Sequence, residues 1–255
     1  MLLPFLYMVS TSLKGQVYVF EFPPRFIPRQ PNLHNFVVAW TSNNFALYFR
    51  NSLVVAIVTT VSVLLLASMM AYAFARFEFP GKNLLFYTML SMMMIPTMML
   101  IIPQFILASR LKLLNSLSGL ALVYIAGGMA FNTFLLRGFF EQLPRELEEA
   151  ALIDGGGHLT IFFRILLPLS TPALATVAIF TFMGAWDEYV WALTAINVAT
   201  KRTLPIAIAS FQGAHASDWG LVFAASLIAI APVLAIFAVL QKYFVRGLTA
   251  GAIKG

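Results

Sequence analysis

The chain has 255 residues, of which 60% are hydrophobic and only 10% are charged, whereas an ordinary soluble domain carries about 25% charged residues. This composition excludes a water-soluble globular domain, and the formal charge of +6 is scattered singly between apolar stretches, which argues against a nucleic-acid partner. The chain has no cysteine, and its histidines, His34, His158 and His215, lie far apart, so the sequence offers no disulfide, no thiolate chemistry and no histidine metal site.

Residues 1–13 form the first apolar segment. A helix of this length reaches only about 20 Å, against a hydrocarbon core of roughly 30 Å. No basic stretch precedes it, as it would in a secretory signal peptide. We predict either the outer part of a first membrane helix whose beginning is missing or a short interfacial helix. The outer loop that follows, 14–50, is rich in proline and then in aromatic residues, which predicts an extended stretch and a short surface helix.

Five later segments are each long enough to cross a bilayer, since about 18 apolar residues suggest a span. These segments are 52–75, 84–108, 117–136, 172–196 and 221–240. The segment 84–108 contains Pro96 and Pro103 among several methionines, and because proline removes a backbone donor we expect a kink there. The methionines are typical of a flexible gate or of ordinary packing around a kink. Lys and Arg are equally numerous on the two sides of such a bundle, so they do not orient it.

The segment 141–168 lies between two spans and is too polar for lipid. Its first helix is predicted to begin at Pro144 and to end at Gly155, since proline suits a first turn, acidic residues suit the amino end and glycine ends helices. A second helix is predicted from His158 up to Pro168. One apolar stripe on the first helix would comprise Leu143, Leu147, Ala150 and Ala151. The residues alone predict a surface hairpin, which either docks a partner or merely joins two spans.

The hairpin also carries a spaced motif, Glu149-Ala150-Ala151, then Gly155, then Ile165-x-Leu167-Pro168. It resembles the coupling-loop motif of binding-protein-dependent ABC importers. The resemblance implies a loop on the cytoplasmic side whose short helix inserts into a groove of an ATPase subunit, and a cytoplasmic carboxyl-terminal tail, 241–255. The ATPase-coupling residues that it implies are Glu149, Ala150, Ala151, Asp154, Gly155, Ile165, Leu167 and Pro168.

No G-x-x-x-x-G-K-[ST] motif, which would cradle phosphates, occurs in the chain. We therefore expect that this chain is not an enzyme and needs no cofactor of its own. ATP and magnesium would bind to a separate ATPase chain.

Further local matches are Asn51-Ser52, 71–76, 184–188 and the tail 241–255. They resemble carbohydrate-uptake permeases of the maltose type, and most closely the shorter of their two membrane subunits. The resemblance implies an all-α, polytopic helical bundle of the type I ABC importer kind, with six spans and the first one incomplete here. It implies sugar import across the cytoplasmic membrane by alternating access. The implied partners are a dimer of ATPase subunits, a second homologous permease, an extracytoplasmic sugar-binding protein and membrane lipid.

Two groups of residues are candidates for contact with the substrate or the binding protein. Intramembrane carboxylates are costly and therefore candidates for function, and Asp187 and Glu188 stand in the segment 172–196. With their aromatic neighbours, the candidate substrate path comprises Trp186, Asp187, Glu188, Tyr189 and Trp191, although the aromatic rings also fit an interfacial belt. The resemblance suggests that the loop 197–219 contacts the binding protein through Gln212, His215, Asp218 and Trp219, and the alternative is a solvated connector.

Two other classes of protein fit a polytopic bundle. A secondary transporter or channel would carry ionisable residues near the middle of its spans for ion coupling, and none stands there in this sequence. A membrane enzyme would need a cluster of catalytic groups near an interface, and only Asp187 and Glu188 come close. The sequence therefore favours the importer subunit.

Overall fold

The computed structural model describes residues 3–15, 26–28, 30–211 and 218–252, with side chains described as far as Tyr243. Every regular element in these ranges is helical, so the predicted all-α class is confirmed. The helices are α1 (Leu3–Ser12), α2 (His34–Thr41), α3 (Phe45–Arg76), α4 (Lys82–Ser91), α5 (Ile101–Arg110), α6 (Leu117–Glu141), α7 (Glu146–Ile153), α8 (His158–Ile161), α9 (Leu167–Leu169), α10 (Thr171–Trp186), α11 (Val190–Ala195), α12 (Leu204–Ser210) and α13 (Trp219–Ala252). A π-helical turn, Phe162–Leu166, joins α8 to α9, and single 3-10 turns occur at Met92–Met94, Thr97–Leu100 and Ala199–Lys201.

Three of the described helices, α3, α6 and α13, are long and apolar enough to cross a membrane. The predicted spans 52–75, 117–136 and 221–240 lie within them. Two further pairs of helices pass the same test together but are bent, by 96° between Lys82–Met94 and Thr97–Arg110 and by 79° between His158–Leu169 and Thr171–Trp186. The described residues therefore hold three spans, or up to five if each bent pair counts as one.

The kink expected in the segment 84–108 takes the form of a break, since the chain forms two helices there that are bent by 96°. Ile95 is extended, with φ −85° and ψ 119°, and Pro96 follows it. The ring of a proline clashes with a helical conformation of the preceding residue, which accounts for the break at Ile95. Pro103 lies in the first turn of α5, where its missing N–H disrupts nothing.

The segment 172–196, predicted as a single span, is not one continuous helix. Helix α10 ends at Trp186 and α11 begins at Val190. The carboxylate of Glu188 accepts hydrogen bonds from the backbone N–H groups of Trp191 at 2.7 Å and Ala192 at 2.9 Å. A side chain that satisfies the free amides of a new helix end stabilises that end, so Glu188 explains why a second helix starts here.

The chain forms two compact units. The first comprises 1–55, 113–120 and 186–235, and the second comprises 56–112, 121–185 and 236–255. The largest buried side chains of the first unit include Phe45, Trp186, Ile196 and Leu204. The core of the second unit comprises Val63, Ala67, Ala71, Tyr72, Ala75, Leu136, Phe140, Ile161, Phe162, Leu166, Ala173 and Val177. Part of the segment 141–168 is thus built into the core of the second unit.

Candidate functional site

The first half of the segment 141–168 is the helix α7, which begins at Glu146 rather than at Pro144. Three glutamates occupy its first turn, where the helix dipole favours negative charge. At its other end, the N–H of Gly155 bonds to the carbonyl of Leu152 at 3.0 Å, and the N–H of Gly156 bonds to that of Ala151 at 2.8 Å. This pair of bonds is a Schellman motif, which needs a left-handed residue at its centre. Gly155 is that residue, with φ +82°.

The predicted apolar stripe is divided in the structure, since Leu143 and Ala151 pack against the core of the second unit and the other two residues do not. Leu147 and Ala150 are exposed, and Ala151 is half-buried. Glu148 points inward instead, because it forms an ion pair with Arg76 at the end of α3. The guanidinium of Arg76 also donates to the carbonyl of Leu143 at 2.8 Å. An arginine buried beside the helix therefore decides which of its sides is covered.

The second half of the segment anchors it to the core. Ile161, Phe162 and Leu166 are buried, and the ring of Phe162 stacks on Tyr72 with centroids 5.5 Å apart. A π-turn places an extra residue in a helical turn and so changes which side chains face inward. The predicted helix from His158 is present in three helical pieces and runs past Pro168 to Leu169.

The motif residues fall into two groups in this structure. Ala151, Ile165 and Leu167 are half-buried against the core of the second unit. The others are exposed: Glu149, Ala150, Asp154, Gly155 and Pro168. Beside them, Leu147 and Leu152 are exposed, and Ile153 is exposed to 86%. We call the exposed residues Leu147, Glu149, Ala150, Leu152 and Ile153 the outer surface of α7. The motif thus combines an anchor with an uncovered, partly apolar surface.

In the candidate substrate path, the tryptophans are buried. Trp186 is only 2% exposed, its indole N–H donates to the carbonyl of Ala229 at 3.1 Å, and its ring meets Phe49 edge-on at 5.4 Å. Trp191 is buried as well, and Glu188 caps α11. These three side chains support the local structure, and the burial of the two tryptophans leaves little ring surface for stacking a sugar.

The remaining two candidates, Asp187 and Tyr189, are exposed. Both line a cleft of about 360 Å³ in the first unit, with Trp186, Pro205 and Ile208 also on its walls. A carboxylate and an aromatic ring on an otherwise apolar wall are the kind of lining that small-ligand sites have.

Three polar side chains hold the stretch after α11, and sequence reasoning gave them no such role. The side-chain oxygen of Asn115 accepts from the N–H groups of Asn197 at 2.7 Å and Val198 at 3.1 Å. Asn51 donates to the carbonyls of Thr200 and Arg202, and Ser52 accepts from the N–H of Leu204 at 2.8 Å. The pair Asn51-Ser52 in an otherwise apolar run was the signal that could have revealed them.

Of the candidates for contact with a binding protein, Gln212 and His215 lie outside the described residues. Asp218 accepts from the N–H of Leu221 at 3.1 Å and so caps the start of α13. Trp219, the first residue of that helix, is exposed and lies 5.7 Å from the ring of Phe223.

The comparison with known protein families gives one match, over residues 63–250, to "Binding-protein-dependent transport system inner membrane component". Among similar proteins, a diacetylchitobiose uptake system permease of Streptomyces coelicolor is 34% identical, with 99% of this chain and 84% of that protein covered. A trehalose/maltose transport system permease of Thermococcus litoralis is 35% identical, with 100% and 92% covered.

Among solved structures, this fold is similar to a chain of a bacterial ABC transporter involved in the import of the acidic polysaccharide alginate. The TM-score is 0.83 at 25% identity, and the match covers 95% of this chain and 90% of that one. The family match spans the coupling-loop motif, the helix Leu117–Glu141, both bent pairs of helices and the apolar stretch Trp219–Tyr243. The chain therefore belongs to the family of binding-protein-dependent transport system inner membrane components, the permease subunits of ABC importers.

Proposed function

We propose that this chain carries a sugar through the membrane by alternating access, driven by a separate ATPase that docks on the outer surface of α7. The sugar class is supported by two similar proteins that are described as permeases for diacetylchitobiose and for trehalose and maltose. Under this proposal, a second, homologous permease completes the pathway, an extracytoplasmic binding protein delivers the sugar, and ATP and magnesium bind to the ATPase.

The observation that carries the proposal is the contrast between the two halves of the segment 141–168. Ile161, Phe162 and Leu166 of its second half are buried in the core of the second unit, while Ile153 is 86% exposed on the short helix α7 in its first half. Burying an isoleucine side chain is worth about 1.5–3 kcal/mol. Exposed apolar residues beside charged ones, on a helix fixed at both ends, are typical of a docking surface. The segment and the carboxyl-terminal tail are accordingly assigned to the cytoplasmic side.

For the substrate path, we assign direct contact to Asp187 and Tyr189, since these two side chains are open to the cleft of about 360 Å³. A carboxylate accepts hydrogen bonds from sugar hydroxyls, and an exposed ring offers an apolar face. Trp186 is part of that wall, and Glu188 and Trp191 support the helix α11 beside it. Contact with the binding protein is assigned to the loop that leads into α13, and Trp219 is its exposed aromatic residue.

Purification of the tagged chain from membranes in mild detergent tests the assembly. We expect an ATPase with a phosphate-binding loop and a second permease to co-purify, and mass spectrometry would identify both. Recovery of this chain alone, as a stable homo-oligomer, would contradict the proposal and favour a secondary transporter or a channel.

A thiol-labelling experiment tests the docking surface directly. Because the chain has no cysteine, Ile153→Cys introduces a single thiol at an exposed position. We expect a membrane-impermeant maleimide to label this thiol only in inside-out vesicles, and much more slowly when the ATPase subunits are present. Val198→Cys, exposed on the stretch after α11, is the control and should react from the outside with or without the ATPase. Equal labelling of the Ile153→Cys variant with and without the ATPase would exclude docking at this surface.

A further inference from the structure

Arg76 and Glu148 form a buried ion pair that lies outside the coupling-loop motif. Arg76 is the last residue of α3, and Glu148 lies in the first turn of α7. Their side chains are only 6% and 13% exposed. The same guanidinium donates to the carbonyl of Leu143, 67 positions away in sequence, at 2.8 Å. One arginine thus holds both α7 and the turn before it.

The chemistry of this contact is suited to fixing the orientation of α7 relative to the end of α3. A guanidinium is a rigid planar fork that can bond to a carboxylate and a carbonyl together, and a cation at the carboxyl end of α3 is favoured by its dipole. A buried ion pair adds little net stability, but removal of one partner leaves a buried charge unpaired. The pair is therefore better explained by the geometry that it fixes than by the stability that it adds.

That geometry concerns the direction in which α7 faces. Successive helical residues point about 100° apart, so holding Glu148 inward turns Glu149 away from the core. Ile153, near the other end of α7, is exposed as well. The contact with Arg76 therefore orients the surface on which we place the ATPase.

We propose that Arg76 is a positioning residue, which through Glu148 and the carbonyl of Leu143 passes the movement of α7 to the end of α3. This inference rests on the proposed docking of an ATPase at α7. A chain that lacks the contact still binds the ATPase, but the movement of α7 is no longer transmitted to the membrane helices, so ATP is hydrolysed without transport.

The test uses the complete complex in proteoliposomes, with binding protein and sugar, and measures the number of sugar molecules imported per ATP hydrolysed. Glu148→Gln keeps the shape and removes the charge, Arg76→Lys keeps the charge and removes the fork, and Arg76→Met removes both. Mutations along a coupling path change the coupling free energy by about 0.5–2 kcal/mol. We therefore expect the number of sugar molecules imported per ATP to fall by about twofold to thirtyfold, with the largest fall in Arg76→Met.

The matched control is Glu141→Gln. Glu141 also forms an ion pair, with Arg137, but within one helix and with its side chain 46% exposed, so its loss should leave the ratio unchanged. The melting temperature of the complex should fall in Glu148→Gln, which leaves the charge of Arg76 buried and unpaired, but not in Glu141→Gln. Co-purification of the ATPase should be the same for both variants, which separates positioning from assembly. Should Arg76→Met fail to assemble, Glu148→Gln still decides the matter.

The outcomes separate this inference from the proposed function. A wild-type complex that couples ATP hydrolysis to import, with Glu148→Gln and Arg76→Lys both at the wild-type ratio, would overturn the positioning role and leave the proposed function intact. A wild-type chain that binds no ATPase would overturn both.

Discussion

At the scale of single residues, the three glycines that follow α7 have different constraints. Gly155 has φ +82°, a conformation that costs an L-residue about 1 kcal/mol or more. A Cβ on Gly156 would lie 2.8 Å from the carbonyl oxygen of Ala151. Gly157 is extended, with φ −89°, and a Cβ there would meet nothing within 4 Å. Only the first two positions require glycine, so the sequence Gly-Gly-Gly defines a fixed turn.

We therefore expect Gly155→Val to lower the amount of sugar imported per ATP, because the strained backbone opens the turn at the end of α7. The amount of chain inserted in the membrane should stay at the wild-type level. Gly157→Ala is the matched control and should import sugar normally, with slightly higher stability, since alanine lowers the entropy of the unfolded chain. If Gly155→Val imports as much sugar per ATP as the wild type, this turn does not help to couple ATP hydrolysis to transport.

At the scale of elements, the stretch after α11 is held by side chains that bond to its backbone. Asn115 adopts φ 56° and accepts from two backbone N–H groups. We expect Asn115→Gly, which keeps the backbone conformation but loses the acceptor, to speed hydrogen exchange at Asn197 and Val198. The exchange rate of these two amides should rise by about fivefold to tenfold, because a hydrogen bond contributes about 1 kcal/mol.

Mass spectrometry of exchanged peptides would measure this effect. Asn115→Asp keeps an acceptor in place and should exchange nearly as the wild type does. Asn44→Gly, at another left-handed position with φ 58°, tests whether the backbone change alone matters. If all three variants exchange alike, Asn115 does not hold the loop.

The elements also show where sequence reasoning succeeded and where it failed. Long apolar runs predicted helices over 52–75 and 117–136, because burial of apolar side chains in lipid needs only length and composition. The same criterion cannot detect a break inside an apolar run. Glu188 was interpreted as a costly carboxylate within a span, whereas it accepts hydrogen bonds from the amides of α11. Its role depends on a backbone conformation that hydropathy does not encode.

The coupling-loop motif was recognisable from its spacing, yet its internal geometry was not. The pattern placed Leu143, Leu147, Ala150 and Ala151 on one apolar stripe, but only Leu143 and Ala151 pack against the core, whereas Leu147 and Ala150 are exposed. The missing information was the ion pair between Arg76 and Glu148, and no local pattern connects residues so distant in sequence. Short motifs therefore located this site, while long-range polar contacts orient it.

At the scale of the whole molecule, the break at Ile95 and Pro96 affects the lifetime of the chain in a bilayer before it assembles with its partners. A break leaves backbone N–H and C=O groups without helical partners, and hydrocarbon cannot satisfy them. The side chains around it, such as Met94 and Met99, are exposed in the isolated chain. Water or another protein must therefore cover this stretch. An unassembled copy would present it to the quality-control proteases of the membrane, so the lifetime of this subunit should depend on how soon its partners arrive.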